Sequence, residues 1–195
     1  MADAAAQREP MTVDDFLRFV DAKPQRAEER WELHDGAPIM MVGGTAAHAM
    51  IAGNIDRALF SPARERGCEL MRGFLATAGD HWAFEPDVVI RCGPINLQGR
   101  YAADAVIVFE VLSPSTMRYD RGVKLERYRE MASLRQIVFV YQDSIRIESW
   151  LREGEHWRDE PSILLSADEA LSLPALETDL PVAAIYDRVL DALRR

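Results

Sequence analysis

A chain of 195 residues with a formal net charge of −9 is long enough for one well-packed domain and short for two. Its 48% hydrophobic and 28% charged content suits a soluble globular protein, and no apolar run approaches the ~20 residues that a membrane span needs. The acidic balance weighs against a nucleic-acid binder that is basic all round, although Arg118, Arg121, Lys124, Arg127 and Arg129 leave room for a local basic patch.

Residues 1–10 have no apolar stretch of the secretory kind, so they read as a frayed tail before a single domain over residues 11–195, with the cytoplasm as the expected location. Thr12 followed by Asp14 and Asp15 looks like a helix cap, and Phe16, Leu17, Phe19 and Val20 predict a short amphipathic helix that stops before Pro24. An Asp35-Gly36 turn between two apolar stretches predicts a β-hairpin over residues 30–42, with Glu32 on its first strand. Thr45 can then cap a helix carrying His48, Ile51, Ile55, Ala58 and Leu59 and ending near Ser61-Pro62.

Strands are expected over residues 68–76, 86–91 and 106–112, separated by loops at Gly79-Asp80-His81 and Gly93-Pro94. A helix over residues 120–132 precedes two alternating strands, 136–141 and 144–152, joined by a tight turn at Gln142-Asp143, with 155–159 as a candidate third. Leu180-Pro181 precedes a closing helix with Val182, Ile185, Tyr186, Val189, Leu190 and Leu193. This order predicts a mixed α/β (α+β) fold, a central mixed sheet flanked by helices. Cys68 and Cys92, far apart and in no CxxC or CxxH setting, read as small core or near-surface residues of a reducing compartment and argue against structural zinc.

Two carboxylates stand on apolar strands, Asp87 in Pro86-Asp87-Val88-Val89-Ile90 and Glu110 in Val106-Ile107-Val108-Phe109-Glu110-Val111-Leu112. A strand with Val and Ile on both faces is normally buried, where a carboxylate without a partner is costly. Mg²⁺ is suited to such a pair, because it takes one or two protein carboxylates and fills its other positions with water and substrate phosphate. That points to phosphoryl-transfer chemistry; acids at strand ends, exposed or paired with arginines, are the alternative. Lys124 is the third element, on the helix after the Glu110 strand, with Asp120 and Tyr128 one turn either side on the same face. Metal-dependent phosphodiester cleavage uses acids to hold the ion and a cation to steady the attacking water or the phosphate. Arg118, Arg121 and Arg127 are candidates for nucleic-acid contact, the alternative being a solvated helix face paired with Asp120, Glu126 and Glu130.

Glu32-Leu33-His34-Asp35-Gly36, His48, Pro86-Asp87-Val88-Val89, Glu110-Val111-Leu112-Ser113-Pro114-Ser115-Thr116 and the Asp120, Lys124, Tyr128 spacing together resemble the Uma-two family of restriction endonucleases, a branch of the PD-(D/E)XK nuclease superfamily. The resemblance implies a restriction-endonuclease-like fold and an endonuclease dependent on Mg²⁺ or Mn²⁺, with DNA as the expected substrate. It makes Asp87 and Glu110 the metal-binding acids, Lys124 the catalytic lysine and Glu32 an additional acid from the hairpin. The Val111 carbonyl joins the expected metal ligands, and His48 is a secondary candidate for orienting phosphate or water. In the superfamily motif the lysine stands two residues after the acid on the same strand, but Leu112 occupies that place, so Lys124 must substitute from the helix.

A homodimer suits the cutting of two antiparallel strands, and the strands of residues 136–152 offer an edge or face for it. The competing reading is a non-catalytic protein on the same fold, a DNA-binding or interaction module, which the acidic balance favours. Ser113, Ser115 and Thr116 are expected to end the strand and cap the helix, lacking a nucleophile-elbow setting. Gly43-Gly44-Thr45 lacks the lysine of a phosphate-binding loop. Trp82, Trp150 and Trp157 read as core or interface residues.

Overall fold

The computed structural model describes residues 9–23, 29–41, 43–102, 104–114 and 116–189. Thr12 caps α1 (Val13–Asp21) in a full capping box, its hydroxyl accepting from the Asp15 N–H while the Asp15 carboxylate accepts from the Thr12 N–H, as the sequence predicts. The hairpin follows as β1 (Arg30–His34) and β2 (Ala37–Met41). Its two turn residues, Asp35 and Gly36, both have positive φ, 49° and 74°, the geometry that matches the twist of the flanking strands. A methyl group on Gly36 would run into the ring of Pro10. Gly36→Ala is therefore expected to lower stability by about 1–2 kcal/mol in urea unfolding.

Next comes α2 (Ala46–Glu65), capped by Thr45 as expected. It runs past its expected end at Pro62, because buried Ala63 extends its packed face one turn further. Strands β3 (Cys68–Met71), β4 (Ala76–Thr77), β5 (Ala83–Phe84), β6 (Val88–Cys92) and β7 (Ala105–Leu112) follow. The single strand predicted over residues 68–76 is two. The chain leaves β3 at Gly73, whose φ is +69°, and β4 pairs with β5 in a separate sheet. Cys68 and Cys92 stand opposite each other on β3 and β6 and are joined by a disulfide, their Cα atoms 4.1 Å apart. This corrects the expectation of two separate thiols: cross-strand register brings together residues that look remote in sequence.

The predicted helix over residues 120–132 is composite. A short α3 (Met117–Tyr119) leads into a π-turn (Asp120–Lys124) and then α4 (Leu125–Glu130). It stops early because Arg152 Nη1 donates to the carbonyls of Met131 and Ala132, both at 3.0 Å, and ties the chain back toward the sheet. The rest comprises β8 (Gln136–Tyr141), β9 (Ile147–Glu153), β10 (His156–Trp157), β11 (Ser162–Leu164), the hairpin β12 (Ala170–Leu173) and β13 (Thr178–Pro181), and α5 (Val182–Ile185). The turn before β9 is longer than the predicted Gln142-Asp143 turn, because the Thr45 hydroxyl takes the Gln142 side chain at 2.7 Å and draws it toward α2. Pro24, Val42, Ser115, Leu190 and Leu193, and most of the predicted tail, lie outside the described residues.

The main sheet runs β10-β9-β8-β7-β6-β3, with β11 also on β9; β7 and β8 are parallel and the other neighbours antiparallel. One face packs Ile51, Ile55 and Leu59 of α2 against Val88, Ile107 and Val138. The other packs Leu125 and Tyr128 of α4 against Val108, Leu112 and Phe139. The fold is thus the expected mixed α+β arrangement, a central mixed sheet flanked by helices. A smaller antiparallel sheet, β2-β1-β5-β4, stands beside it. The β8 and β9 strands, expected to offer an edge or face to a second copy, are paired on both sides within the main sheet, so they present no free edge there.

Candidate functional site

Antiparallel pairing of β6 with β7 sets Val88 opposite Phe109, and one further step outward sets Asp87 opposite Glu110. Asp87 therefore sits just before β6 and not within the strand. There it interrupts the ladder: the Val111 N–H donates to Asp87 Oδ2 at 2.8 Å. His48, on the first turn of α2, reaches the same oxygen through Nε2 at 3.1 Å, and Arg30 Nη1 lies 3.5 Å from Oδ1.

Lys124 enters from the opposite side. It is 3% exposed, with Nζ 3.2 Å from Glu110 Oε1, 2.9 Å from Glu32 Oε1 and 3.4 Å from Asp120 Oδ1. The Tyr128 hydroxyl donates to Glu110 Oε1 at 2.6 Å. Lys124 and Tyr128 thus share one Glu110 oxygen, and Oε2 remains outside these bonds. The π-turn presents both Asp120 and Lys124 inward; such turns often occur at functional sites.

Strand alternation puts Arg30, Glu32 and His34 on one face of β1. Glu32, 1% exposed, accepts from the Glu85 N–H at 3.0 Å, and its other oxygen meets His34 Nε2 at 2.7 Å. His34 is stacked on Tyr119, ring centroids 4.8 Å apart. Arg30 also binds Glu85 through Nε at 2.7 Å.

Five carboxylates, Glu32, Glu85, Asp87, Glu110 and Asp120, face two permanent cations, Lys124 and Arg30. Burial pushes Glu110 up to about 8, aided by the charges of Asp120, Asp87 and Glu32 and opposed by Lys124. Burial also raises Asp120. For Glu32 the burial effect is outweighed by Lys124, His34 and the Glu85 N–H, which hold it at about 2. Asp87 is likewise lowered against its burial, by His48, the Val111 N–H and Arg30. Lys124 is held well above its ordinary value, since Glu110, Glu32 and Asp120 outweigh its burial.

Surplus negative charge and a carboxyl forced toward its neutral form fit a divalent cation. Among the described residues no group of three or more His, Cys, Asp or Glu is arranged to hold a metal. Asp87 and Glu110 offer two hard oxygen donors, a set of the kind that Mg²⁺ accepts when water and phosphate fill its other positions. Asp87, Glu110 and Val111 line a cleft of about 400 Å³ that also includes His48 and Lys124. A neighbouring cavity of about 450 Å³ shares Arg30, His48 and Asp87 with it and adds Arg72.

Residues 13–183 match the family model described as "Uma2: Putative restriction endonuclease". The chain belongs to the Uma2 family. It is 26% identical over 170 residues to the uncharacterized protein slr1290 of Synechocystis sp. (strain ATCC 27184 / PCC 6803 / Kazusa), covering 83% of this chain and 86% of the relative. A second uncharacterized protein of that strain, sll1609, is 26% identical over 152 residues, covering 74% and 82%. Its fold is similar to the crystal structure of "a putative nuclease belonging to DUF820" from Anabaena variabilis ATCC 29413, with a TM-score of 0.71, 16% identity, and coverage of 92% of this chain and 99% of that one.

Within this Uma2 fold the sequence candidates Glu32, His48, Asp87, Glu110, Val111, Asp120, Lys124 and Tyr128 come together. Arg118, Arg121 and Arg127 stay outside the cleft. Arg118 is exposed, Arg127 binds Glu130 at 2.6 Å and stacks over Trp82, and Arg121 binds Glu148. The hydroxyls of Ser113 and Thr116 bond each other at 3.0 Å and close the turn after β7. Trp82 packs against Phe84, and Trp157 Nε1 donates to the Arg129 carbonyl. Sequence reasoning passed over Arg30, His34 and Glu85. The signal for the first two was the alternation of β1, which places them on the face of Glu32.

Proposed function

We propose that this Uma2 protein is a metal-dependent endonuclease that hydrolyses phosphodiester bonds, with DNA as its substrate. The observation that carries the reading is the placement of Asp87 opposite Glu110 at the mouth of a cleft, with buried Lys124 bonded to Glu110. A Mg²⁺ or Mn²⁺ ion on Asp87, Glu110 and the Val111 carbonyl would supply a Lewis acid for the phosphate and an activated water. The chain itself does the positioning. His48, Arg30 and the Val111 N–H fix the Asp87 carboxylate, and Tyr128 fixes Glu110. Lys124, kept charged by its acidic neighbours, is the donor for negative charge developing on phosphate. Glu32 and Asp120 hold that ammonium in place. Lys124 thereby does from the helix what the strand lysine missing at Leu112 would do. A homodimer fits the cutting of both strands.

A non-catalytic module on the same fold has little use for five carboxylates gathered around two cations, whereas a metal-dependent site uses that arrangement. The metal site is tested by thermal melting. Mg²⁺ or Mn²⁺ should raise the melting temperature with concentration, and Asp87→Ala should remove the shift. A metal response of equal size in Asp87→Ala would place the ion elsewhere.

A further inference from the structure

The row of side chains that carries Glu110 continues across the sheet. Glu110 pairs with Phe139 on β8, and Phe139 with Glu148 on β9. Glu110 and Glu148 therefore project from one face, two strands and about 10 Å apart at ordinary strand spacing. Glu148 is 1% exposed and fully engaged. Its Oε1 accepts from the Tyr141 hydroxyl at 2.8 Å and from Arg146 Nε and Nη2 at 3.0 and 2.8 Å, and its Oε2 accepts from Arg121 Nε at 3.0 Å. One buried negative charge thus holds two arginines whose side chains are half-exposed.

A single cation would neutralise Glu148, so the second leaves the group with a surplus positive charge. Both Nη atoms of Arg121 and Nη1 of Arg146 lie outside the bonds to Glu148, and a guanidinium presents its donors in a fixed fork that matches phosphate. Arg146 is held further. Its guanidinium carbon lies 5.2 Å over the Tyr141 ring. The Tyr186 hydroxyl accepts from its backbone N–H at 3.3 Å and lies 2.9 Å from both its carbonyl and that of Tyr141, two acceptors that share the one O–H proton. Arg121 leaves the same π-turn that delivers Lys124 to Glu110.

We propose that Arg121 and Arg146, oriented by Glu148, clamp a backbone phosphate flanking the bond addressed at Glu110. The proposal rests on reading the Asp87–Glu110 cleft as a phosphodiesterase site and gives that site a preference for a polynucleotide over an isolated phosphodiester. Two arginines preset by a buried acid lose little freedom on binding, which favours their use as a recognition element.

The test is binding of a fluorescein-labelled DNA duplex to the full chain, read by anisotropy over a salt series in EDTA so that no cutting intervenes. Arg146→Ala and Arg121→Ala should each weaken binding ~5-fold and lower the salt slope by about 1. Arg64→Ala removes the same charge from an exposed position some 24 Å along α2 from His48 and should change neither quantity. Melting temperatures in the same buffer report folding, and Arg121, at the surface, supplies the decisive variant if Arg146→Ala does not fold. Lower melting temperature with unchanged affinity and slope would make the pair a support for Glu148 alone and overturn the clamp, as would equal weakening by Arg64→Ala. Cleavage is assayed separately. If both arginine variants bind normally and wild type cuts, the clamp fails alone. If they bind weakly and wild type never cuts with metal bound, the phosphate contact stands, while the nuclease reading and the contact's place beside a scissile bond fail.

Discussion

Lys124→Met is expected to lower stability by ~3–5 kcal/mol at neutral pH, because it leaves Glu32, Glu110 and Asp120 buried around an apolar side chain. The same change should reduce cleavage by at least ~10²-fold, as the donor for phosphate charge is lost. The stability loss depends on pH in a defined direction. Glu32 is held at about 2 in the folded protein against 4.5 ordinarily, so its pairing stabilises above pH 4.5 and fades as pH falls toward 2. The gap between wild type and Lys124→Met should close over that window in urea unfolding. A variant as stable as wild type at pH 7 would mean that Lys124 is an ordinary surface lysine.

Glu110→Gln is expected to act in the opposite direction on stability while removing activity. The folded protein holds the Glu110 proton up to about pH 8, against 4.5 ordinarily. Wild type therefore has the full benefit of protonated Glu110 below about pH 4.5 and loses it as pH rises to about 8. Glutamine keeps the shape and never ionises. Without metal, the variant should match wild type near pH 4.5 and exceed it by up to ~5 kcal/mol above pH 8, with Lys124 still paired to Glu32 and Asp120. This is the stability cost expected of an acid kept for chemistry. A variant less stable than wild type at pH 8 would mean that Glu110 is chiefly the structural partner of Lys124.

Much of this was legible in the sequence where a local rule and the tertiary fold agree. The Thr12 cap, the Asp35-Gly36 hairpin and the apolar runs of β7 and β8 each follow from turn chemistry or periodicity. The Asp87, Glu110 and Lys124 set was readable because buried carboxylates need a reason. Features set by long-range packing were not readable. The π-turn keeps Asp120, Lys124 and Tyr128 on one side, as a plain helix would, so the sequence pattern does not reveal it. The split of residues 68–77 between two sheets, the Cys68–Cys92 bond and the short strands β11, β12 and β13 depend on partners far along the chain. In the site, Arg30 and His34 gain meaning only once β1 is known to turn that face toward Asp87 and Lys124. Glu148 and Arg146 carry no motif and emerge from register alone.

Hydrolysis of phosphodiester bonds by the Asp87–Glu110 centre with a divalent ion is read by incubating supercoiled DNA at low salt with Mg²⁺ or Mn²⁺ and either wild type or Glu110→Gln, purified identically, with EDTA controls. Cutting by wild type that requires metal and is absent from Glu110→Gln is the predicted result. Metal-dependent cutting of equal rate in both preparations, or no cutting by wild type when melting shows that the ion has bound, would mean that Glu110 does not carry phosphodiester hydrolysis.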